Sequence, residues 1–373
     1  MAKIMLVSSY FHPKIGGVER YVYNLAVGLR ERWDHDVQVV TTGQDRTVTR
    51  AEVEGIPVTR LPVLATISAT PVHPVWVVQV RRLLERERPD VINTHAPVPG
   101  LADVSFAVRG KRPLIATYHS GSMKKGSGAL DLAIGAYEAT ALKWIMRRAD
   151  ELVTTFPPDR PGGRADPYHI PPGVDPGIFY RSPDATHEAG TLLYVGRIEL
   201  ASAWKGIGTL LVAMRRVLGS RPDVRLRLVG EGDAVPHFRE KAKELGIGET
   251  VEFVGALHGQ RLADAYRRAE ILVLPSETEA ESFGMVLIEA MACGTPVVAS
   301  RVGGVPAVVR DTGGGLLTEP GNPASLAEGI LALLADPLRR RTLADAGAAR
   351  VAARYTWDVA VDAYQELIKK LTG

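Results

Sequence analysis

Pro275-Ser-Glu-Thr-Glu-Ala-Glu281-Ser-Phe-Gly284-Met-Val-Leu-Ile-Glu289-Ala-Met-Ala-Cys-Gly294-Thr-Pro296 decides how the chain is read. Upstream, Ile271–Leu274 is a short apolar run closed by proline, the pattern of a buried parallel strand. Downstream, residues 285–293 are rich in helix formers until Gly294 and Pro296 stop them. Between the two lies a loop with a carboxylate, Glu281, at its end. The first amides of a helix have no carbonyl partner within it, so those around Phe283, Gly284 and Met285 suit an anionic ligand. Glu289 then lies about 7.5 Å along the helix axis from Gly284, close to the reach from a diphosphate to its ribose. A loop carboxylate, phosphate-facing amides and a second carboxylate suit a sugar, a diphosphate and a ribose in that order. The ligand expected is a nucleotide sugar, against the plainer reading of an acidic helix start followed by a core helix.

The pattern E-S-F-G-x-x-x-x-E-A-x-A-x-G-x-P resembles the E-x7-E signature of retaining GT-B glycosyltransferases, glycosyltransferase family 4. That resemblance implies an α/β chain of two Rossmann-like domains facing a cleft, with a C-terminal helix returning to the first domain. It implies an acceptor-binding domain at 1–180, a nucleotide-sugar domain at 191–355 and a returning helix at 356–373. In the family the first glutamate, here Glu281, binds donor-sugar hydroxyls and the second, here Glu289, binds the ribose.

Composition agrees with two domains, because 373 residues exceed the length at which one core usually stops growing. Hydrophobic content of 46% with 23% charged residues is that of a soluble globular protein. The single cysteine, Cys293, rules out an internal disulfide framework and suits a reducing, cytoplasmic setting. The first residues read as a strand and not as a signal peptide, and no run is long enough to span a bilayer. A net charge of +3 with no zinc spacing gives no ground for a nucleic-acid partner.

Along the chain, residues 3–7 read as a strand and 8–17 as a loop ending in paired glycines. Val18, Tyr21, Val22, Leu25, Ala26 and Leu29 then form one apolar stripe at helical period. Gly16, Gly17 and Glu19 stand where a Rossmann-like domain presents ligand-binding amides, although a glycine turn with a glutamate at a helix dipole reads equally well. The resemblance puts this loop beside the donor phosphates and the acceptor. Further strands are expected at 37–41, 58–61 and 91–93, with a helix at 76–88. Asp34-His-Asp36 precedes a strand, so it reads as solvated turn residues and not as a metal-binding D-x-D.

Residues 113–118 form a strand running into His119-Ser-Gly-Ser-Met-Lys124-Lys125, a polar loop where open α/β sheets bind ligands. In the family a histidine at this place lies beside the donor sugar and contributes to catalysis, which assigns His119. His95, after the strand at 91–93, Lys124 and Lys125 are assigned to the acceptor side; His12 has weaker support. Residues 109–148 carry eight basic residues against two acidic ones. The helix expected at 131–148 suits an anionic acceptor or peripheral docking on a membrane's cytoplasmic face, and equally cations placed at a helix C-terminus. Residues 156–163 interrupt what the family continues as strand and helix. His169-Ile-Pro-Pro-Gly-Val-Asp175 resembles the family's I-P-N-G-V-D segment, with Pro172 in place of asparagine.

The second half opens with a strand at 192–195 leading to Gly196-Arg197, with Lys205-Gly206 at the next helix start. Two cations converging there suit a diphosphate, Arg197 by its planar fork and Lys205 as a point charge. G-R followed by K-G resembles the family's diphosphate clamp. Gly230-Glu-Gly232 lacks a third glycine and is weak evidence for a dinucleotide. The resemblance puts the nucleobase near Leu257, and Tyr355-Thr-Trp-Asp358 resembles the point where the last helix turns back.

The expected activity is retaining transfer of a hexosyl sugar from a nucleoside diphosphate sugar to a hydroxyl acceptor, whether lipid-linked, saccharide or small molecule. No cofactor or metal is expected: Arg197, Lys205 and the Gly284 helix start would stabilise the leaving diphosphate. A nucleotide-sugar epimerase of the same architecture is one rival, separated by incubation without acceptor. A nonenzymatic nucleotide-sugar binding module is the other, disfavoured by paired cations at the leaving group.

Overall fold

The computed structural model describes residues 1–13, 16–67, 70–97, 99–119, 128–155, 167–182 and 187–373. Lys124, Lys125 and the 156–163 interruption lie outside the described residues. The chain divides into two units, Met1–Pro172 with Trp357–Gly373, and Gly173–Thr356.

The first unit is built on an eight-stranded sheet. Its order is Tyr168–His169, Glu151–Thr154, Leu114–Tyr118, Val91–Ala96, Lys3–Val7, Asp36–Thr42, Ile56–Leu61 and Thr49–Val53. All pairings are parallel except the last, where Thr49–Val53 runs antiparallel to Ile56–Leu61. The central strand shows why the sequence needs two covering layers. Ile4 and Leu6 pack under helices Gly17–Trp33 and Trp357–Thr372, while Met5 and Val7 pack with Trp76, Leu83 and Phe106 on the opposite face. A strand buried on both faces reads as a continuous apolar run because successive side chains point opposite ways. The stripe expected in the first helix is buried at Tyr21, Val22, Leu25, Ala26 and Leu29. Val361, Leu367 and Ile368 of the final helix are buried in the same layer, each contributing about 1.5–3 kcal/mol.

The second unit carries a six-stranded, all-parallel sheet. Its order is Val251–Gly255, Arg225–Val229, Thr191–Val195, Ile271–Leu274, Val297–Ser300 and Gly315–Thr318. Leu192 and Tyr194 pack with Leu210, Leu211 and Met214 of helix Ile207–Ser220 and Ile330 and Leu333 of helix Pro323–Ala335.

The first unit ends at Pro172, where the sequence suggested 180, because residues beyond it bond within the second unit. Val174 bridges Thr356, and Arg267 donates to the carbonyls of Ile178 at 2.7 Å and Tyr180 at 3.0 Å. Thr49–Val53, the antiparallel pair Ala65–Ile67 and Thr70–Val72, Glu151–Thr154 and Tyr168–His169 are strands the sequence reading did not foresee. Val91–Ala96 runs past residue 93, so His95 is a strand residue and not a loop residue. Asp34 and Asp36 are turn and strand-start residues, but His35 between them is buried, accepting from the Ala2 amide at 3.0 Å. Among the described residues no helix is long and apolar enough to cross a membrane.

Candidate active site

In an open parallel sheet ligands bind at the carboxyl ends of the strands where the winding reverses direction. In the second unit that point lies between Thr191–Val195 and Ile271–Leu274. The residues following these strands are Gly196-Arg197 and Pro275-Ser276, so the topology brings together the two segments singled out in the sequence.

Two backbones meet here without room for a side chain. A Cβ on Gly206 would lie 1.9 Å from the Pro275 carbonyl oxygen, and one on Gly303 would lie 2.0 Å from the Glu281 carbonyl oxygen. Both glycines have positive φ, which other residues rarely adopt. The Glu277 amide donates to the Trp204 carbonyl at 2.8 Å, and Thr209 Oγ1 donates to Glu277 Oε1 at 2.5 Å. The 275–284 loop is thereby fastened at several points around Glu281.

Of the loop glutamates at 277, 279 and 281, only Glu281 is buried. Its Oε2 accepts from Lys205 Nζ at 2.8 Å and from Ser276 Oγ at 2.8 Å. Among the described residues no partner falls on Oε1, so one face of the carboxylate is left to meet a hydroxyl. Lys205 Nζ also sits 4.5 Å from the centroid of the Trp204 ring, a cation–π contact that limits where the ammonium can go. Behind this pair the buried Tyr194 hydroxyl is pushed upward, first by burial and then by the Glu281 charge.

Arg197 does not join this cluster. Its guanidinium is 3.3 Å from Glu199 and its side chain is 64% exposed, while Lys205 is 17% exposed. The expected convergence of two cations is thus a nearly buried lysine on a carboxylate plus a solvent-facing arginine on another.

Gly284 caps helix Met285–Ala292 in the left-handed conformation, with Phe283 buried beside it at 6.0 Å from the Tyr355 ring. Met285 is half-buried at the helix start. Glu289, one and a half turns along, is 3% exposed and accepts from Tyr266 at 2.8 Å. Leu257 is half-buried in the turn after the edge strand Val251–Gly255. Cys293 is buried and its thiol is pushed up to about 12 by burial, which makes it inert as a nucleophile.

The first unit's corresponding point lies between Lys3–Val7 and Val91–Ala96, and its character is different. His95 Nδ1 is 2.8 Å from His119 Nε2, and the rings stack at 5.1 Å with 19° between planes. Tyr21 sets its edge against His119 at 4.9 Å and bonds the Ile170 carbonyl at 3.0 Å. Tyr364 of the final helix bonds Thr117 at 2.7 Å, and Thr117 donates to Asn93 at 2.8 Å. All of these side chains are buried. Burial drives both imidazoles well below their ordinary value, His119 to about 3, so both rings are neutral near pH 7.

Gly16 caps helix Gly17–Trp33 in extended conformation, and the buried Glu19 carboxylate folds back over it: a Cβ on Gly16 would lie 2.4 Å from Glu19 Oε2. Glu19 therefore faces the helix start that the sequence suggested for ligand amides. Sequence reasoning missed Ser276, Tyr21, Thr117 and Tyr364. Ser276 directly follows the strand-closing proline and could have been found there; the others lie on strand or helix positions that read as core.

The description Glycosyltransferase Family 4 matches residues 15–177, and Glycosyl transferases group 1 matches residues 181–350. These spans nearly coincide with the two structural units. The phosphatidyl-myo-inositol mannosyltransferase of Mycobacterium leprae is 30% identical over 366 residues, covering 96% of this chain and 94% of that protein. The D-inositol 3-phosphate glycosyltransferase of Segniliparus rotundus is 39% identical over 213 residues, 53% of this chain, and that match spans 46% of the relative's length. The solved sucrose-phosphate synthase of Thermosynechococcus elongatus superposes with a TM-score of 0.80 at 27% identity, covering 100% of this chain and 99% of that one.

Proposed function

The chain belongs to the GT-B glycosyltransferases of family 4 and is a sugar-transferring enzyme, and from that premise we propose that it moves a hexosyl group from a nucleoside diphosphate sugar to a hydroxyl acceptor with retention of configuration. The observation that carries the donor assignment is the Lys205–Glu281–Ser276 cluster at the second unit's winding reversal. In this reading Glu281 Oε1 takes a hydroxyl of the sugar, while Lys205 and the amides around Phe283, Gly284 and Met285 hold the diphosphate. Glu289 takes the ribose, Leu257 lines the base, and exposed Arg197 adds charge at the rim.

Among the site residues described, no carboxylate stands as an evident nucleophile, so the acceptor oxygen would attack the sugar carbon on the face from which the diphosphate leaves. The bond to the acceptor forms as the carbon–oxygen bond to phosphate breaks, and the acceptor proton passes to a departing phosphate oxygen. Charge growing on that phosphate is stabilised by Lys205 and the helix start, a preorganised field of the kind that usually dominates catalysis. The reaction then needs no cofactor or metal.

In the first unit Gly16 and Gly17 are assigned to donor binding, Glu19 and His95 to the acceptor, and His119 to catalysis beside the donor sugar. Both relatives above are named for transfer to an inositol carrying a phosphate, free in one case and in a lipid in the other. That supports an inositol-phosphate acceptor class, and a cytoplasmic enzyme that docks peripherally on an anionic lipid surface in the lipid case. The surface supplies suitable chemistry: Trp144 is 48% exposed with the Arg148 guanidinium 4.6 Å from its ring, beside exposed Lys143 and Arg147. A second stretch exposes Leu64, Ile67, Val77 and Val78 near Arg81 and Arg82.

The test is a thermal-shift screen of UDP-, GDP- and ADP-sugars, followed by incubation of the stabilising donor with inositol phosphate and with phosphatidylinositol vesicles. Retention predicts a product with the donor's anomeric configuration; inversion, or conversion of the donor to its isomer without acceptor, overturns the reading. Flotation with anionic against neutral vesicles decides the docking, which should weaken with salt.

A further inference from the structure

His95 and His119 share one hydrogen bond in surroundings that keep both rings uncharged. His95 is 2% exposed and His119 8%. One of the two facing nitrogens, His95 Nδ1 or His119 Nε2, must carry the hydrogen between them. If His119 donates, His95 must carry its own proton on Nε2. That atom is buried and, among the described residues, has no hydrogen-bond partner. If His95 donates instead, the same buried atom holds only a lone pair. Either stranded group costs its lost water, but orphaned buried N–H groups are rarer in folded proteins than under-satisfied acceptors, which favours the second arrangement.

We infer that His95 donates its Nδ1–H to His119 Nε2, fixing His119 in the tautomer with its proton on Nδ1 and presenting it to the ligand as a hydrogen-bond donor, not a base. His95 is then a positioning residue for His119. The setting holds the pair in register: the His119 amide donates to the Ala96 carbonyl at 3.0 Å, and Tyr21 braces the His119 ring edge-on.

The consequence is specific. A neutral imidazole has one acceptor nitrogen, and in His119 that nitrogen is occupied by His95. His119 cannot collect a proton from an attacking hydroxyl without breaking that bond, but its Nδ1–H can hold an oxygen of the ligand, a sugar hydroxyl in the reading above. The catalytic meaning rests on the sugar-transfer reading; the tautomer itself does not.

Histidine labelled with 15N in the intact protein, read by long-range proton–nitrogen NMR and assigned with His95→Asn and His119→Gln, reports which ring nitrogens are protonated. The inference expects a proton on Nδ1 of both rings and none on Nε2 of either; a protonated His119 Nε2 overturns it. In the second arm, His95→Asn keeps an N–H donor near the lost Nδ1, whereas His95→Leu removes it. With both variants folded by circular dichroism, the leucine variant should lose roughly tenfold or more in kcat and the asparagine variant much less. Equal kcat in the two variants overturns the positioning role. A wild-type protein that transfers no sugar would sink the functional reading while leaving the NMR result to decide the tautomer.

Discussion

The two winding reversals of this chain occupy equivalent places in their sheets and are furnished in opposite ways. In the second unit the point is charged: Lys205 against Glu281, Arg197 against Glu199, and Glu289 under Tyr266. In the first unit the set around His95 and His119 is neutral, made of buried imidazole, phenol, hydroxyl and amide groups, with a buried carboxylate, Glu19, folded over the Gly16 helix start. Formal charges are suited to a ligand that is itself charged, since their attraction survives partial burial. Neutral buried groups attract a charge poorly but can fix the direction of a hydroxyl, because bonds such as that between His95 and His119 limit which atoms remain to donate or accept. Under the proposed function, the charged point would hold the phosphates and the histidine pair would orient a hydroxyl.

The comparison breaks most readily at Lys205. Replacing it with alanine should cut transfer about a hundredfold or more, the scale seen when a preorganised charge stabiliser is removed, and should leave Glu281 nearly buried without its cation. Arg197→Ala should cost only a few-fold, because an exposed ion pair contributes about 0–1 kcal/mol. Steady-state kinetics and donor titration of both variants decide this; equal losses would mean that burial does not set their importance.

A smaller effect separates the two carboxylates of the charged site. Glu281→Gln should damage transfer more than binding of the free nucleoside diphosphate, whereas Glu289→Gln should weaken that binding about tenfold, as expected for a charge-assisted hydrogen bond. Calorimetric titration with the sugar-free nucleotide is the check. The reverse order would exchange their places along the donor.

The neutral site sharpens the contrast through pH. Each buried imidazole has its folded-state value lowered, His119 to about 3, so below the unfolded value near 6.5 the unfolded chain binds more protons than the folded one. The stability from keeping the His119 ring neutral is complete above about pH 6.5 and is lost as pH falls toward 3, at up to about 1.4 kcal/mol per pH unit, and His95 acts in the same direction. Melting His119→Gln and wild type from pH 7 to pH 4 should show a shallower acid loss in the variant. Parallel curves would mean that the wild-type ring is protonated in the folded state. The smallest effect expected is none: transfer should survive EDTA, and loss with rescue by manganese would overturn the metal-free reading of the charged site.

Much of the architecture was legible because apolar runs and helical stripes are local. The stripe from Val18 to Leu29 and the run Ile271–Leu274 needed only their own residues to be read. Thr49–Val53 was invisible for the converse reason: its middle three residues are exposed and the pairing is with one neighbour at the sheet edge. Thr94 and His95 fell outside the strand read at 91–93 because polar residues seldom continue a buried strand, and here they do so because neighbouring side chains bond to them. The residues of the proposed donor site were singled out by spacing, but Lys205 and Glu281 are 76 positions apart and nothing local announces that they share a hydrogen bond. Tyr21 and Tyr364, 343 positions apart, are harder still, since both read as ordinary core aromatics.

The helix Trp357–Thr372 belongs to the first unit although the whole second unit precedes it in the chain. A polypeptide emerging from the ribosome usually completes its domains from the amino end. Here the order is inverted: Gly173–Thr356 is one uninterrupted stretch and can close as soon as it is out. The earlier-made sheet must wait with the apolar face of helix Gly17–Trp33 uncovered, and its Thr117 hydroxyl without Tyr364, until residues 357–372 are released. During synthesis, the first unit is therefore completed only after the second has been made.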